Sequence, residues 1–195
     1  MEYLDNLKQI AKQNHIPIIK DDGCDFLIEF CKQHNFKNIL EIGTAVGYSG
    51  SLMLKNTTES YLTTIEINQQ SFDMATQTFK QYNLTNRVTQ ILGDAKDEIK
   101  KLNQKYDFIF LDGPKGQYLN YYQTLKTLLT NGGYILADNI YLHGLVFGPE
   151  FVKHKHRSMV VNLRKFIKFV QEDPEVSCQI LDVGDGIMII QKTQN

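Results

Sequence analysis

The chain has 195 residues, 42% hydrophobic and 22% charged, with a net charge of -1. That length supports one domain with a sizeable core, and the near-neutral balance excludes a global field for nucleic acid or membrane while leaving room for a local basic patch. Cys24, Cys31 and Cys178 are odd in number and scattered, which excludes a disulfide frame or a cysteine zinc site. With no secretory leader in Met1–Asp5 and no apolar run of membrane-spanning length, a cytoplasmic, membrane-free protein is expected.

Leu4, Leu7, Ile10 and Ala11 share a helical face, and the run His15-Ile-Pro-Ile-Ile19 breaks that helix because proline disfavours helical geometry in the residue before it. Phe26, Leu27, Phe30 and Cys31 stripe a second helix, Lys37 to Ile42 reads as strand one, and the next helix carries Leu52 to Leu54. Tyr61 to Ile65 is β-branched and aromatic, a second strand ending at Glu66, and Phe72, Ala75, Phe79 and Tyr82 follow at helical spacing. Strand three runs from Val88 to Leu92 and leads through Gly93-Asp94-Ala95 into a short helix with Ile99 and Leu102. Strand four, Tyr106 to Leu111, closes at Asp112; Tyr118, Tyr121, Tyr122, Leu125 and Leu129 mark a helix. Asn131-Gly132-Gly133 then turns into strand five, Tyr134 to Ala137, which closes at Asp138-Asn139. After an irregular stretch from Ile140 to His156, a helix from Ser158 to Val170 precedes two closely spaced strands, Ser177 to Leu181 and Ile187 to Gln191. The alternation predicts one α/β domain over residues 1–195, Rossmann-like and doubly wound. Its sheet is mostly parallel and seven-stranded, with an antiparallel pair at the C-terminal end.

The candidate cofactor site lies where strand one runs into Gly43-Thr-Ala-Val-Gly47. Ligands of such sheets bind beyond the carboxyl ends of the strands, and a glycine there lets a ligand approach the backbone. Glu41, Glu66 and Asp94 end or follow the first three strands. A carboxylate after strand two can accept both ribose hydroxyls, in a nicotinamide dinucleotide as in other nucleosides. The dinucleotide fingerprint, however, wants a glycine two positions after Gly43, where Ala45 stands. A ligand without a pyrophosphate fits better, and S-adenosylmethionine suits a carboxylate-rich pocket, with Asp94 accepting from the adenine amine. Asp112, Asp138 and Asn139 would converge if strands four and five are neighbours. Two carboxylates and an amide oxygen describe a hard-cation site, magnesium or another divalent ion. Their plain alternative roles are helix capping and turning the chain.

The runs Glu41-Ile-Gly-Thr-Ala-Val-Gly-Tyr-Ser49, Thr64-Ile-Glu66, Gly93-Asp-Ala95, Leu111-Asp-Gly-Pro-Lys-Gly-Gln-Tyr118 and Ala137-Asp-Asn139 occur in this order along nearly the whole chain. This order resembles the class I, metal-dependent O-methyltransferases of the catechol and caffeoyl-CoA type. His15-Ile-Pro-Ile-Ile19, the Lys-Gly-Gln-Tyr run and Val183-Gly-Asp-Gly186 are similar to the bacterial tRNA 5-hydroxyuridine branch. The resemblance implies that Ile19, Glu41, Gly43, Ser49, Glu66, Asp94, Ala95 and Asp112 hold S-adenosylmethionine, with the helices of residues 1–35 packing over it. It implies that Asp112, Asp138 and Asn139 hold magnesium, that Lys115 is the general base with a pKa depressed by the ion, and that a homodimer is an available assembly.

The basic run Lys153-His-Lys-His-Arg157, with Arg164, Lys165 and Lys168 beyond it, could track phosphates. Tyr118, Tyr141 and Phe147 could stack on an exposed base, with core packing the commoner fate of such aromatics. Together with the resemblance, these features favour tRNA as substrate, 5-hydroxyuridine becoming 5-methoxyuridine. A small catechol-like or acyl-CoA acceptor is the alternative. A nicotinamide oxidoreductase and a non-catalytic RNA-binding module are the readings from other classes.

Overall fold

A computed structural model of the chain describes residues 2–13, 16–148 and 154–194. Seven strands, β1 (Asn38–Ile42), β2 (Tyr61–Glu66), β3 (Val88–Leu92), β4 (Tyr106–Leu111), β5 (Leu129–Ala137), β6 (Val176–Leu181) and β7 (Ile187–Lys192), form one sheet in the order β3-β2-β1-β4-β5-β7-β6. The first five run parallel, β7 lies antiparallel to β5, and β6 antiparallel to β7. The expected doubly wound sheet with an antiparallel end is the observed one.

The central strands are apolar on both faces because helices cover both sides. Alternate residues go opposite ways: Ile39, Phe108, Phe110 and Leu136 pack under α1 (Glu2–Gln13), α2 (Asp21–His34), α3 (Tyr48–Lys55) and α4 (Gln69–Gln81). Leu40, Ile109, Leu111 and Ile135 pack under α5 (Ala95–Glu98), α6 (Tyr118–Leu128) and α7 (His154–Gln171). Each fully buried Leu or Phe contributes about 1.5–3 kcal/mol of hydrophobic stabilisation.

Three boundaries differ from the sequence reading by more than one residue. Leu129 opens β5 and does not close α6, and Asn131-Gly132-Gly133 lies inside the strand. The pairing with β4 is irregular there, so a glycine pair that signals a turn marks a bulge. The short helix after Asp94 is α-helical only to Glu98 and continues as a 3-10 turn, Ile99–Lys101, leaving Leu102 outside. Helix α7 begins at His154, before the expected Ser158. Of the predicted helix break, His15 lies outside the described residues, as does Lys153 in the basic run.

The chain reverses direction of winding between β1 and β4, the crevice where open α/β sheets place their ligands. At that crevice Gly43 has φ 97°, and a Cβ there would stand 2.5 Å from the Asp112 carbonyl oxygen. The amide of Asp112 in turn donates to the Ile42 carbonyl at 3.0 Å. The two strand ends therefore approach at a separation that only glycine allows. Gly43→Ala is expected to destabilise the fold by about 2–4 kcal/mol, from backbone strain and forced separation of β1 and β4. Urea unfolding of the two proteins measures this.

Candidate active site

A cavity of about 910 Å³ opens over the carboxyl ends of the parallel strands, a volume typical of small-molecule sites. Gly43, Glu66, Asp94 and Ala95 form one part of its wall, and Asp112, Lys115, Asp138 and Asn139 form another. The segment Ile16–Lys20 between α1 and α2, which includes Ile19, closes one side. Nine of the residues singled out from sequence thus face one space.

Glu66 is held from two directions. Its Oε2 accepts from the Ala45 amide at 2.9 Å and its Oε1 from the Asn68 amide at 2.8 Å. Each oxygen keeps a further lone pair, so a fixed carboxylate faces the cavity with acceptor capacity for two hydroxyls. Asp94 is the N-cap of α5, with Oδ1 accepting from the Lys96 amide at 2.9 Å. That bond fixes the side chain and leaves Oδ2 available.

Glu41 and Ser49 stand apart from this set, since neither lines the cavity. Ser49 Oγ donates to Glu41 Oε1 at 2.5 Å, and Thr64 Oγ1 donates to Oε2 at 2.6 Å. The structure therefore places Glu41, fully buried, as a brace between β1, β2 and the start of α3. Burial pushes its carboxyl up to about 7, assisted by the charges of Asp112 and Glu66 and opposed by the two hydroxyls.

On the other side, the Asp138 amide donates to the Leu111 carbonyl at 3.1 Å, which sets Asp138 level with the end of β4. Asp138 is 3% exposed. Burial and then the neighbouring charge of Asp112 raise its carboxyl to about 6, with Lys115 opposing. Asn139 follows with φ 58°, a left-handed geometry that asparagine tolerates well. Among the described residues no group of three or more His, Cys, Asp or Glu side chains is arranged to hold a metal. A cation here would need the Asn139 amide as its third protein donor. Two like charges pressed together beside a neutral oxygen still fit a hard divalent ion, because such an ion relieves the repulsion that burial aggravates.

Lys115 Nζ donates to Asp112 Oδ1 at 2.6 Å and to Tyr118 Oη at 2.8 Å. Burial pulls its pKa down, but Tyr118 and Asp112 outweigh it, so the ammonium is held well above its ordinary range. Tyr118 is fully buried, and its hydroxyl lies 2.9 Å from the Leu111 carbonyl and 3.1 Å from that of Asp138. It ties the two strand ends together and has no face to offer a base, so of its two readings core packing is the one that holds. Tyr141 packs edge-on against Phe147 with centroids 5.4 Å apart, and of the three aromatics Phe147 is the exposed one. Arg164 also departs from its expected role. Its guanidinium donates to the carbonyls of Val146, Leu145 and Gly148 at 2.8, 3.3 and 3.4 Å, so it fastens a loop and does not present itself to phosphate.

Sequence reasoning missed Asp185, Gln117, Leu142 and His143, which also line the cavity. Asp185 lies in a run marked for resemblance alone, and no strand-end logic reaches it.

The sequence profile of a family described as O-methyltransferase matches residues 1–193. The chain belongs to that O-methyltransferase family. It is accordingly an S-adenosylmethionine-dependent O-methyltransferase. Caffeoyl-CoA O-methyltransferase 2 of Eucalyptus globulus is 30% identical to it over 209 residues, covering 98% of this chain and 82% of the relative. A caffeoyl-CoA O-methyltransferase of Medicago sativa is 29% identical, again covering 98% and 82%. Among solved structures, a putative caffeoyl-CoA O-methyltransferase from Staphylococcus aureus superposes with a TM-score of 0.90 at 29% identity, over 97% of this chain and 91% of that one. A methyltransferase of Podospora anserina bound to S-adenosylhomocysteine gives 0.91 at 27% identity, over 100% and 89%. Among the described residues of this O-methyltransferase, no helix is long and apolar enough to cross a membrane.

Because the folded pKa of Glu41 lies above the ordinary value of 4.5, folding favours its protonated form. The cost of ionising it is absent below about pH 4.5, grows as pH rises through 7, and is complete above that. Glu41→Gln mimics the protonated form and cannot ionise. Relative to the natural protein, it should gain roughly 1–3 kcal/mol of stability between pH 5 and pH 8, read from urea unfolding at both pH values.

Proposed function

We propose that this enzyme transfers the methyl group of S-adenosylmethionine to one hydroxyl of an acceptor carrying two adjacent oxygens. The acceptor is a small catechol-like compound or its acyl-CoA conjugate. The carrying observation is that Asp112, Asp138 and Asn139 share a cavity with Glu66 and Asp94, so cation-seeking and nucleoside-seeking groups face each other. In this reading Glu66 accepts from the ribose hydroxyls, Asp94 from the adenine amine, and Gly43 gives the cofactor room at the end of β1. Ile19 supplies an apolar wall. Asp112, Asp138 and Asn139 are the residues that would hold magnesium, or another divalent cation. That ion, when bound, lowers the pKa of a coordinated hydroxyl and orients it.

The chain's own groups then account for the remaining requirements. The cavity holds donor and acceptor side by side, which supplies proximity. The sulfonium carries its own leaving group, so no acid is needed at sulfur. Lys115, bonded to Asp112, would be the proton acceptor once it has lost its own proton. Once the charge of Asp112 is shared with a cation, less remains to hold the ammonium, and burial favours its neutral form. The relatives named above are caffeoyl-CoA enzymes, which favours the catechol-type acceptor.

tRNA is the second reading, supported by one feature. Arg157, Lys165 and Lys168 are exposed on α7, and Phe147, 59% exposed, lies in the loop that Arg164 fastens to the same helix. Of these cations Lys168 pairs with Glu172 at 3.8 Å.

Labelled S-adenosylmethionine should deliver label to caffeoyl-CoA or 3,4-dihydroxybenzoate with magnesium, and not with EDTA. Label in unfractionated tRNA alone would transfer the proposal to the second reading. Asp138→Ala should lower turnover by more than about 100-fold while S-adenosylhomocysteine still binds, and Lys115→Ala should lower kcat by about 100-fold or more. Calorimetry and steady-state rates measure both.

A further inference from the structure

Beyond Asn139 the chain makes an unusual turn. Leu142 has φ 46°, His143 φ 56° and Gly144 φ 79°. Left-handed geometry is disfavoured for residues with a Cβ, above all for a branched side chain such as Leu142, and persists only where the surroundings impose it. Leu142 and His143 line the cavity, so the turn forms its acceptor-side wall.

What imposes the turn is the loop between β6 and β7. Ile140 donates to the Gly186 carbonyl and Tyr141 to the Asp185 carbonyl, each at 2.8 Å. The Asp185 carboxylate then receives the His143 amide on both oxygens, at 2.9 and 3.0 Å. Asp185 is 6% exposed, and both of its partners belong to His143: the backbone amide, and the imidazole Nδ1 at 3.5 Å from Oδ2. Gly186, at φ 82°, would drive a Cβ to 2.6 Å from the Tyr141 ring, which shows how closely the two segments press. The same loop is anchored on its far side: the Gly184 amide donates to Asp22 Oδ2 at 2.8 Å, and Lys20 Nζ to the Gly184 carbonyl at 3.3 Å. The cofactor-side segment Ile16–Lys20 and the acceptor-side turn are thus fastened to one short connection.

We propose that Asp185 is a positioning residue: by holding the left-handed turn at Leu142–Gly144 it fixes Asn139 and the acceptor wall against the ends of β4 and β5. The effect on the cation rests on the assignment of Asp112, Asp138 and Asn139 given above; the effect on the turn does not.

Amide hydrogen exchange of Leu142, Leu145 and Val146 tests this directly. These amides donate to Asn139, Leu142 and Tyr141 carbonyls, and none bonds to the Asp185 side chain. In Asp185→Ala their exchange should rise by about ten-fold or more, with Asp185→Asn, which keeps one acceptor oxygen, close to the natural protein. Mn2+ affinity, read by electron paramagnetic resonance, should fall by about ten-fold or more in the alanine variant, with S-adenosylhomocysteine affinity changed less than about two-fold. Asp185→Ser, whose hydroxyl is too short to reach the His143 amide, takes the place of alanine if that variant does not fold. Unchanged exchange overturns the proposal, and so does an equal fall in cofactor and Mn2+ affinity, which would mark a general structural role. If the natural protein binds no Mn2+, the cation assignment fails, while the exchange rates still decide whether Asp185 holds the turn.

Discussion

Asp112 and Asp138 would repel each other in any flexible chain, and the sheet holds them together regardless. Their backbones are hydrogen-bonded in sequence across β1, β4 and β5, Asp112 to the Ile42 carbonyl and Asp138 to that of Leu111. The strands behind them are buried on both faces. Separating the carboxylates would mean unpacking the centre of the molecule. Lys115 balances one of them and the Tyr118 hydroxyl braces both strand ends. In the proposed reading, the remaining negative charge is what would draw a hard cation to this end of the sheet.

The two parts of the cavity differ in how they are built. The wall around Glu66 and Asp94 is fixed by short-range bonds to backbone amides within a few residues of each strand end or across to Ala45. The wall formed by Leu142 and His143 depends on contacts from segments far away in sequence, Asp185 to His143 and Arg164 to the loop carbonyls. The two walls still meet at one connection, the loop between β6 and β7, which bonds to Lys20 and Asp22 on one side and to Ile140, Tyr141 and His143 on the other.

This division also explains what the sequence disclosed. Strand ends were legible because apolar runs stop abruptly at Glu41, Glu66, Asp112 and Asp138, and a parallel sheet brings such ends to one edge. The meeting of Asp112 with Asp138 depended on strands four and five being neighbours, a condition the alternation leaves open and the sheet order fulfils. Periodicity does not record which side of a strand end faces ligand. Glu41 and Glu66 look alike in sequence, but Glu41 turns inward to Ser49 and Thr64. The roles of Tyr118 and Arg164 were not legible for a related reason: an aromatic ring or a guanidinium has a polar part that can be spent internally, and only coordinates show the partner. Asp185 was hidden because it follows no strand of the parallel set and its importance comes from an amide distant in the chain.

The bulge in β5 has a consequence of its own. From Tyr106↔Leu129 to Phe108↔Tyr134 the pairing advances two residues along β4 and five along β5. The surplus length is absorbed before the strand reaches the ligand end, where Leu111 pairs with Ala137. A shorter or longer bulge would slide the segment Tyr134–Ala137 along its neighbour like a vernier. One step would send Asp138 to the opposite face of the sheet, since side chains alternate with a period of two. The spacer Thr130–Gly133, none of which lines the cavity, is therefore the length standard against which the two acidic strand ends are aligned.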